Sequence, residues 1–468
     1  MQGLVRRSLR PVTAVMVCGA LLAACSASKS SAKTPGVGAS TTTASPVGNP
    51  WDKTVADAIA DLQDYWAQAM PELYGKPYQK VSGGFYPYTS RSPLPPCGTP
   101  PPSYKEIADN AFYCRPADLV AWDNEGLLPG LYKQFGLFTI AIVFAHEWGH
   151  AIQQRVGVTG PTILLEQQAD CFAGAWVASV ANGHSTRFQL TLSNLDAALA
   201  GYLQLRDSPD TLSVDPQAHG TGFDRMAAFQ EGFLSGAKPC TDYAAHPRAV
   251  LELPQSANPS AATTSLPPDQ IEKAAIQDLE DYWSKAAAAG GTTWKPVATK
   301  PYDPAGTIPT CGARTFQPAE VTKTAFYCID DDYAAWDEAN LMPGVYSQVG
   351  GFAVAAVIAK QYSLAALIRD GVSQANPKQF NLEADCLTGT WTASLIRHDR
   401  PSQAITLAPE DVDQVLIAFL GFGNGPQALQ ASTGDEGSPF ERVAAFRDGV
   451  LHGVTQCATY AHGGGPGL

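Results

Sequence analysis

His146, Glu147 and His150 stand in the string His146-Glu147-Trp148-Gly149-His150. Residues i and i+4 share one face of a helix, so both imidazoles can reach a single ion. Glu147 follows the first histidine and is placed to reach a water on that ion. The nine residues before the string, Leu137 to Ala145, are nearly all apolar. The helix, expected over Ile140 to Val156 and closed by Gly157, is therefore a buried one. A zinc that performs chemistry needs a third protein ligand and one open position. Sixteen residues past His150 comes Glu166, with Asp170 four further on. The two share a face of the next helix. Glu166 is the expected third ligand, and Asp170 is expected to accept a hydrogen bond from a ligand imidazole and fix its tautomer. A Glu-x-x-x-Asp pair by itself is what any solvated helix face carries; its closeness to the histidine pair is what points to metal. The reading is one Zn²⁺ per chain and metal-assisted hydrolysis, with Glu147 as the proton acceptor.

The elements that must hold these residues come in two copies. Asp61-Leu62-Gln63-Asp64-Tyr65-Trp66 recurs as Asp278-Leu279-Glu280-Asp281-Tyr282-Trp283. Ala111-Phe112-Tyr113-Cys114 recurs at 325–328, Ala121-Trp122-Asp123 at 335–337, and Ala169-Asp170-Cys171 at 384–386. Arg225-Met226-Ala227-Ala228-Phe229 recurs as Arg442-Val443-Ala444-Ala445-Phe446. The offset stays between 214 and 217 residues, and a period that long marks a duplicated domain. One domain is expected over 51–246 and a second over 268–462, joined by the Pro-, Ser- and Ala-rich stretch 247–267. Each copy reads as an amphipathic helix (52–70 or 269–288), then a short extended piece (117–122 or 332–336). A buried helix, a helix through Ala-Asp-Cys and a further helix near the end follow. The fold class is helix-rich α+β. Duplicated domains associate through equivalent faces, so the two copies are expected to pack on each other.

The HExxH string followed by Glu166 and by Ala169-Asp170-Cys171-Phe172-Ala173-Gly174 resembles the neutral zinc metallopeptidase family, a gluzincin-like group. Phe112-Tyr113-Cys114 and Gly232-Phe233 carry the resemblance across most of 51–246. It implies two tandem zincin-like domains, peptide-bond hydrolysis with Glu147 as general base, and Glu166 as third ligand. The family's substrate-side strand falls on Asp118–Asp123 and fits it loosely. Enzymes of this kind often use a downstream histidine to stabilise the oxyanion, and His219, just before the last shared helix, is the candidate. Its counterpart is Glu436.

The second copy has lost the ligands. Lys360, Gln361 and Leu364 stand opposite His146, Glu147 and His150, and Asn381 stands opposite Glu166. Asp385 still matches Asp170, and Glu383 matches Gln168 on another helix face. Lys360 would repel a divalent cation. This copy is expected to be non-catalytic. His184, His246, His398, His452 and His462 carry no partner pattern and read as structural or solvated.

Arg6, Arg7 and Arg10 precede an apolar stretch that ends in Leu22-Ala23-Ala24-Cys25. This pattern reads as a bacterial lipoprotein signal over 1–24, with Cys25 lipidated and 25–50 a flexible tether. The expected location is the extracytoplasmic face of the cell membrane. Eight further cysteines fall in matched quartets, and an even number in an exported chain favours disulfides. Four cysteines allow three connectivities; the expected one is Cys97–Cys114, Cys171–Cys240, Cys311–Cys328 and Cys386–Cys457. A net charge of −13 over 468 residues argues against nucleic acid as a partner. The expected activity is an envelope-anchored zinc peptidase acting on a peptide or protein substrate. The alternative is a binding or scaffold lipoprotein on a peptidase fold.

Overall fold

The computed structural model describes residues 48–205, 220–251, 263–408, 410–420 and 436–463. Cys25, the expected signal and tether up to residue 47, and His219 lie outside these residues. The fold is helix-rich α+β. The first half runs α1 (Asp52–Tyr74), β1 (Phe85–Tyr88), α2 (Tyr104–Ile107), β2 (Ala111–Cys114), β3 (Leu119–Asp123), α3 (Leu127–Phe135) and α4 (Leu137–Val156). It continues with α5 (Thr162–Ala181), α6 (Leu192–Leu203), α7 (Gly222–Ser235) and α8 (Ala237–Cys240). The second half repeats that order. It opens with α9 (Pro268–Ala289), β4 (Ala298–Tyr302), α10 (Pro318–Val321), β5 (Ala325–Cys328) and β6 (Tyr333–Asp337). It closes with α11 (Leu341–Gln348), α12 (Gly351–Arg369), α13 (Pro377–Arg397), α14 (Asp411–Leu420), α15 (Pro439–His452) and α16 (Val454–Cys457). Asn49 onward forms one compact unit.

Local chemistry accounts for the elements that matter to the site. In α1, Val55, Ala58, Leu62, Trp66 and Met70 recur at helical spacing and are buried. Helix α4 starts three residues before the expected point, directly after Gly136 at φ 86°. It ends at Gly157 in the left-handed region (φ 79°), whose N–H returns to Gln153 O at 2.9 Å. Helix α4 is buried along most of its length, so packing rather than propensity fixes it. Each half has a three-stranded sheet ordered β1-β3-β2 or β4-β6-β5. The central strand lies parallel to one neighbour and antiparallel to the other. Among the described residues, one helix, α12, is long and apolar enough to cross a membrane, and it is buried inside the protein.

Two close helix crossings set the site. A Cβ on Gly149, inside the histidine string, would come 2.6 Å from Ala169 Cα, so glycine lets α4 lie directly on α5. A Cβ on Gly174 would meet Phe229 O at 1.9 Å, and one on Gly232 would meet Cys171 O at 1.8 Å. Helices α5 and α7 therefore touch backbone to backbone. The disulfides pair as the matched quartets suggest: Cys97–Cys114, Cys171–Cys240, Cys311–Cys328 and Cys386–Cys457. The second of these ties α5 to α8, just past α7.

The halves differ in one titrating pair away from the histidines. Trp336 Nε1 donates to Glu272 Oε2 at 3.1 Å and to Glu338 Oε2 at 3.0 Å. The matching residues of the first half are Val55 and Asn124. Burial, and then the Glu338 carboxylate, push the Glu272 carboxyl up to about 8. The folded state thus prefers the protonated acid. Below the ordinary carboxylate range both states are protonated and the pair costs nothing. As pH rises from there towards 8, the folded state loses stability relative to the unfolded one. Glu272→Gln is expected to raise the melting temperature at pH 8 and to leave it unchanged at pH 4; equal shifts at both values would rule this account out.

Candidate metal centre

Helix α4 brings His146 and His150 to one face, and α5, held against it at Gly149, brings Glu166 opposite. His146 Nε2 and His150 Nε2 are 3.2 Å apart. Glu166 Oε2 lies 3.1 Å from His146 Nε2, and Glu166 Oε1 lies 3.3 Å from His150 Nε2. Two ligand atoms each about 2.1 Å from one ion, at the tetrahedral angle, are roughly 3.4 Å apart. The triangle therefore has the size of one face of a tetrahedral zinc site. One ligand atom from each of the three residues lies within 4.8 Å of the other two.

The proton inventory agrees with the distances. His146 Nδ1 lies 2.6 Å from Asp170 Oδ1, and His150 Nδ1 lies 3.0 Å from Gln153 Oε1. In the neutral, metal-binding form each ring would commit its one proton away from the centre and point its Nε2 lone pair towards the other ring and a carboxylate. Glu166 Oε2 is buried, and its nearest polar neighbour in the triad is His146 Nε2 at 3.1 Å. An oxygen and two nitrogens with lone pairs converging in a buried space fit a borderline cation such as zinc.

Outer partners brace the triad. Asp170 accepts from Arg225 Nε at 3.1 Å and from Arg225 Nη2 at 3.0 Å. The Tyr202 hydroxyl donates to Asp170 and accepts from Arg225 Nη2 at 2.8 Å. Gln153 Nε2 donates to Leu165 O at 2.6 Å, so the same side chain that orients His150 also grips the residue before Glu166. Glu147 Oε2 accepts the Tyr113 N–H at 2.8 Å, from β2. Strand β3, which overlaps the expected substrate-side piece, lies in the middle of its sheet with both edges paired. The strand that reaches Glu147 is β2. A cavity of about 460 Å³ lies elsewhere, at the seam of α7 and α15, and no triad residue lines it.

No family model matches the chain. No solved structure matches it either. It is similar to an uncharacterised protein, YpfJ, of Escherichia coli (strain K12), 28% identical over 224 residues, covering 42% of this chain and 72% of that protein. It is also similar to the uncharacterised protein Rv2575 of Mycobacterium tuberculosis (strain H37Rv), 30% identical over 167 residues, covering 30% of this chain and 55% of that protein. Each match is no longer than about one of the two halves.

Electrostatics in the first half lean negative. Glu147, Glu166 and Asp170 are all buried, and the buried Arg225 guanidinium bonds Asp170. Burial works against a charged His146, yet the carboxylates of Asp170 and Glu166 outweigh it and carry its pKa up to about 10. His150 is raised in the same way by Glu166. Burial, opposed by the two histidines, raises the Glu147 carboxyl. Glu166 is held well below the usual carboxylate range despite its burial, first by His150.

The second half is neutral at the matching place. Lys360 Nζ lies 2.9 Å from Asp385 Oδ1 and 3.7 Å from Glu436 Oε2. Arg442 reaches Asp385 at 3.0 Å and Glu436 at 3.1 Å. Two carboxylates face two cations, and Lys360 is fully buried between them. Phe419 and Leu367 stand where the first half has Tyr202 and Gln153, so these two outer partners are absent from the same half as His146, His150 and Glu166, while Asp385 and Arg442 keep the other two. His246 pairs with Asp242 on the surface.

Proposed function

We propose that the chain is a zinc-dependent peptidase built from two tandem zincin-like domains, of which only the first binds metal and reacts. The observation that carries this reading is the convergence of His146 Nε2, His150 Nε2 and Glu166 in a buried space, set among three buried carboxylates. The carboxylates favour positive charge there, which protonated histidines supply without an ion and a dication would supply by displacing those protons. Bound zinc would lower the pKa of a water and polarise the scissile carbonyl.

The chain's own residues supply the rest. Glu147 takes the proton of the attacking water and hands it to the leaving amine, and its raised proton affinity suits both steps. The Tyr113 N–H holds one of its oxygens and leaves the other to work. Asp170 keeps His146 in the tautomer that presents Nε2, with Tyr202 and Arg225 fixing Asp170 in turn. Gln153 does the same for His150. His219 is the proposed oxyanion donor; its counterpart Glu436 sits 3.7 Å from the ammonium that replaces His146. The lipobox at Cys25 supports a membrane-anchored envelope protein acting on peptides or proteins outside the cytoplasm.

The purified protein is expected to carry one zinc per chain and to cleave members of a mixed peptide library. A chelator should stop cleavage and added Zn²⁺ should restore it. Protein that folds, binds no zinc and cleaves nothing would replace this reading with the scaffold lipoprotein.

A further inference from the structure

The two halves meet through equivalent contacts. Asp413, on α14, accepts the N–H groups of Gly222 and Phe223 at 2.8 Å each, at the start of α7. Its counterpart Asp196, on α6, accepts the Phe440 N–H at 3.2 Å, at the start of α15. Arg447 Nη1 donates to Gln230 Oε1 at 3.0 Å, and these two residues are each other's counterparts. A pseudo-two-fold axis therefore passes beside them.

The two caps are not equal. Pro439 stands opposite Gly222 and has no N–H, so Asp196 holds one bond where Asp413 holds two. A Cβ on Gly222 would come 2.9 Å from Asp413 Oδ2, so glycine at this position lets the carboxylate reach the backbone. The cap with two bonds across the seam is the one on the half with the triad, whereas α15 closes its own first turn with the Ser438–Glu441 capping box. The Asp413 cap closes the first turn of α7 with Thr221, whose Oγ1 accepts the Asp224 N–H at 3.1 Å. Capping by a carboxylate fixes the helix start and suits its dipole. Arg225 leaves α7 in that same turn, two residues beyond Phe223. From there the bonds run to Asp170 and Tyr202 and on to His146 Nδ1. The second half's α14 packs on both α6 and α7, the helices that carry Tyr202 and Arg225.

We propose that Asp413, supplied by the half that lost its own ligands, is a positioning residue for the metal centre of the other half, acting through α7 and Arg225 on Asp170 and His146. This rests on the zinc reading above. The second half thereby contributes to the working site without touching substrate.

The test uses the full chain and Zn²⁺ itself, with affinity read by competition against a chromophoric chelator, alongside melting temperature and the kcat and KM of peptide cleavage. Asp413→Ala is expected to weaken zinc binding about ten-fold, the scale of losing an outer partner, and to lower kcat more than KM. Asp413→Asn, which keeps an accepting oxygen, should recover most of the loss. Gly222→Ala should act in the same direction as Asp413→Ala and gives a second route if that variant folds poorly. Asp196→Ala should lower the melting temperature while zinc affinity stays at the wild-type value. Equal zinc affinities in Asp413→Ala and Asp196→Ala, with wild type binding zinc normally, would overturn the inference alone. Wild type that binds no zinc would overturn the underlying reading.

Discussion

Glu147→Gln is expected to keep its zinc and lose turnover. The amide is the same size, and its oxygen can still accept the Tyr113 N–H that holds the carboxylate at 2.8 Å. The ligands are untouched, so metal content should stay at one per chain. What disappears is the basic oxygen. General acid–base catalysis by a placed side chain contributes roughly 10²- to 10⁴-fold, about 3–5 kcal/mol of the barrier. The expected result is a fall in kcat of that size with KM little changed. Peptide kinetics and elemental analysis on one preparation decide it: retained rate would remove Glu147 from the proton-transfer role, and lost zinc would make it a ligand instead.

His146→Ala and His150→Ala should each abolish metal and activity together. Removing a ligand from a three-ligand site should cost more than the roughly 10- to 100-fold in affinity that loss of an outer partner costs. His146 has the larger structural effect. Its removal leaves Asp170, Tyr202 and Arg225 bonded to one another but to nothing on α4 at that point. His150→Ala leaves that cluster whole and frees only Gln153. Both variants should therefore read as zinc-free, with the larger drop in melting temperature for His146→Ala. A variant that lost activity and kept a full zinc equivalent would contradict the ligand assignment.

That His146, His150 and Glu166 come together was legible from spacing, because a helix repeat fixes which residues share a face and a buried apolar lead-in rules out a surface pair. The repeat showed that the two halves share one element order, and the expected cysteine pairing, one of three open to each quartet, is the one the structure has. Helix α6 was missed: Leu192–Leu203 carries no motif, and Asp196 and Tyr202 are ordinary residue types whose roles come only from contacts with other helices. The outer partners Tyr202, Gln153 and Arg225 were missed as well. A hydroxyl, an amide and a guanidinium are ordinary residue types whose role comes only from tertiary contact. Two of them had left a signal in the repeat. Tyr202 became Phe419 and Gln153 became Leu367, polar groups exchanged for apolar ones of similar size, in the same copy that lost the ligands. Arg225 left none, since Arg442 keeps its place over Phe419 at 4.5 Å as Arg225 does over Tyr202 at 4.4 Å. The central place of β3 was also illegible, because its five buried residues look the same whether one edge is free or both are paired.

The ammonium of Lys360 has a consequence for how the protein meets scarcity. On the zinc reading, the first half depends on a cation drawn from its surroundings, and its folding free energy rises and falls with the logarithm of the free metal. The second half holds its cation as the covalently attached side chain of Lys360, where no competing chelator or lean growth medium can remove it. During metal starvation the two halves would part company in stability, and the self-sufficient one would go on presenting α14 to its neighbour. The emptied half would keep a template on which to re-form when zinc returns.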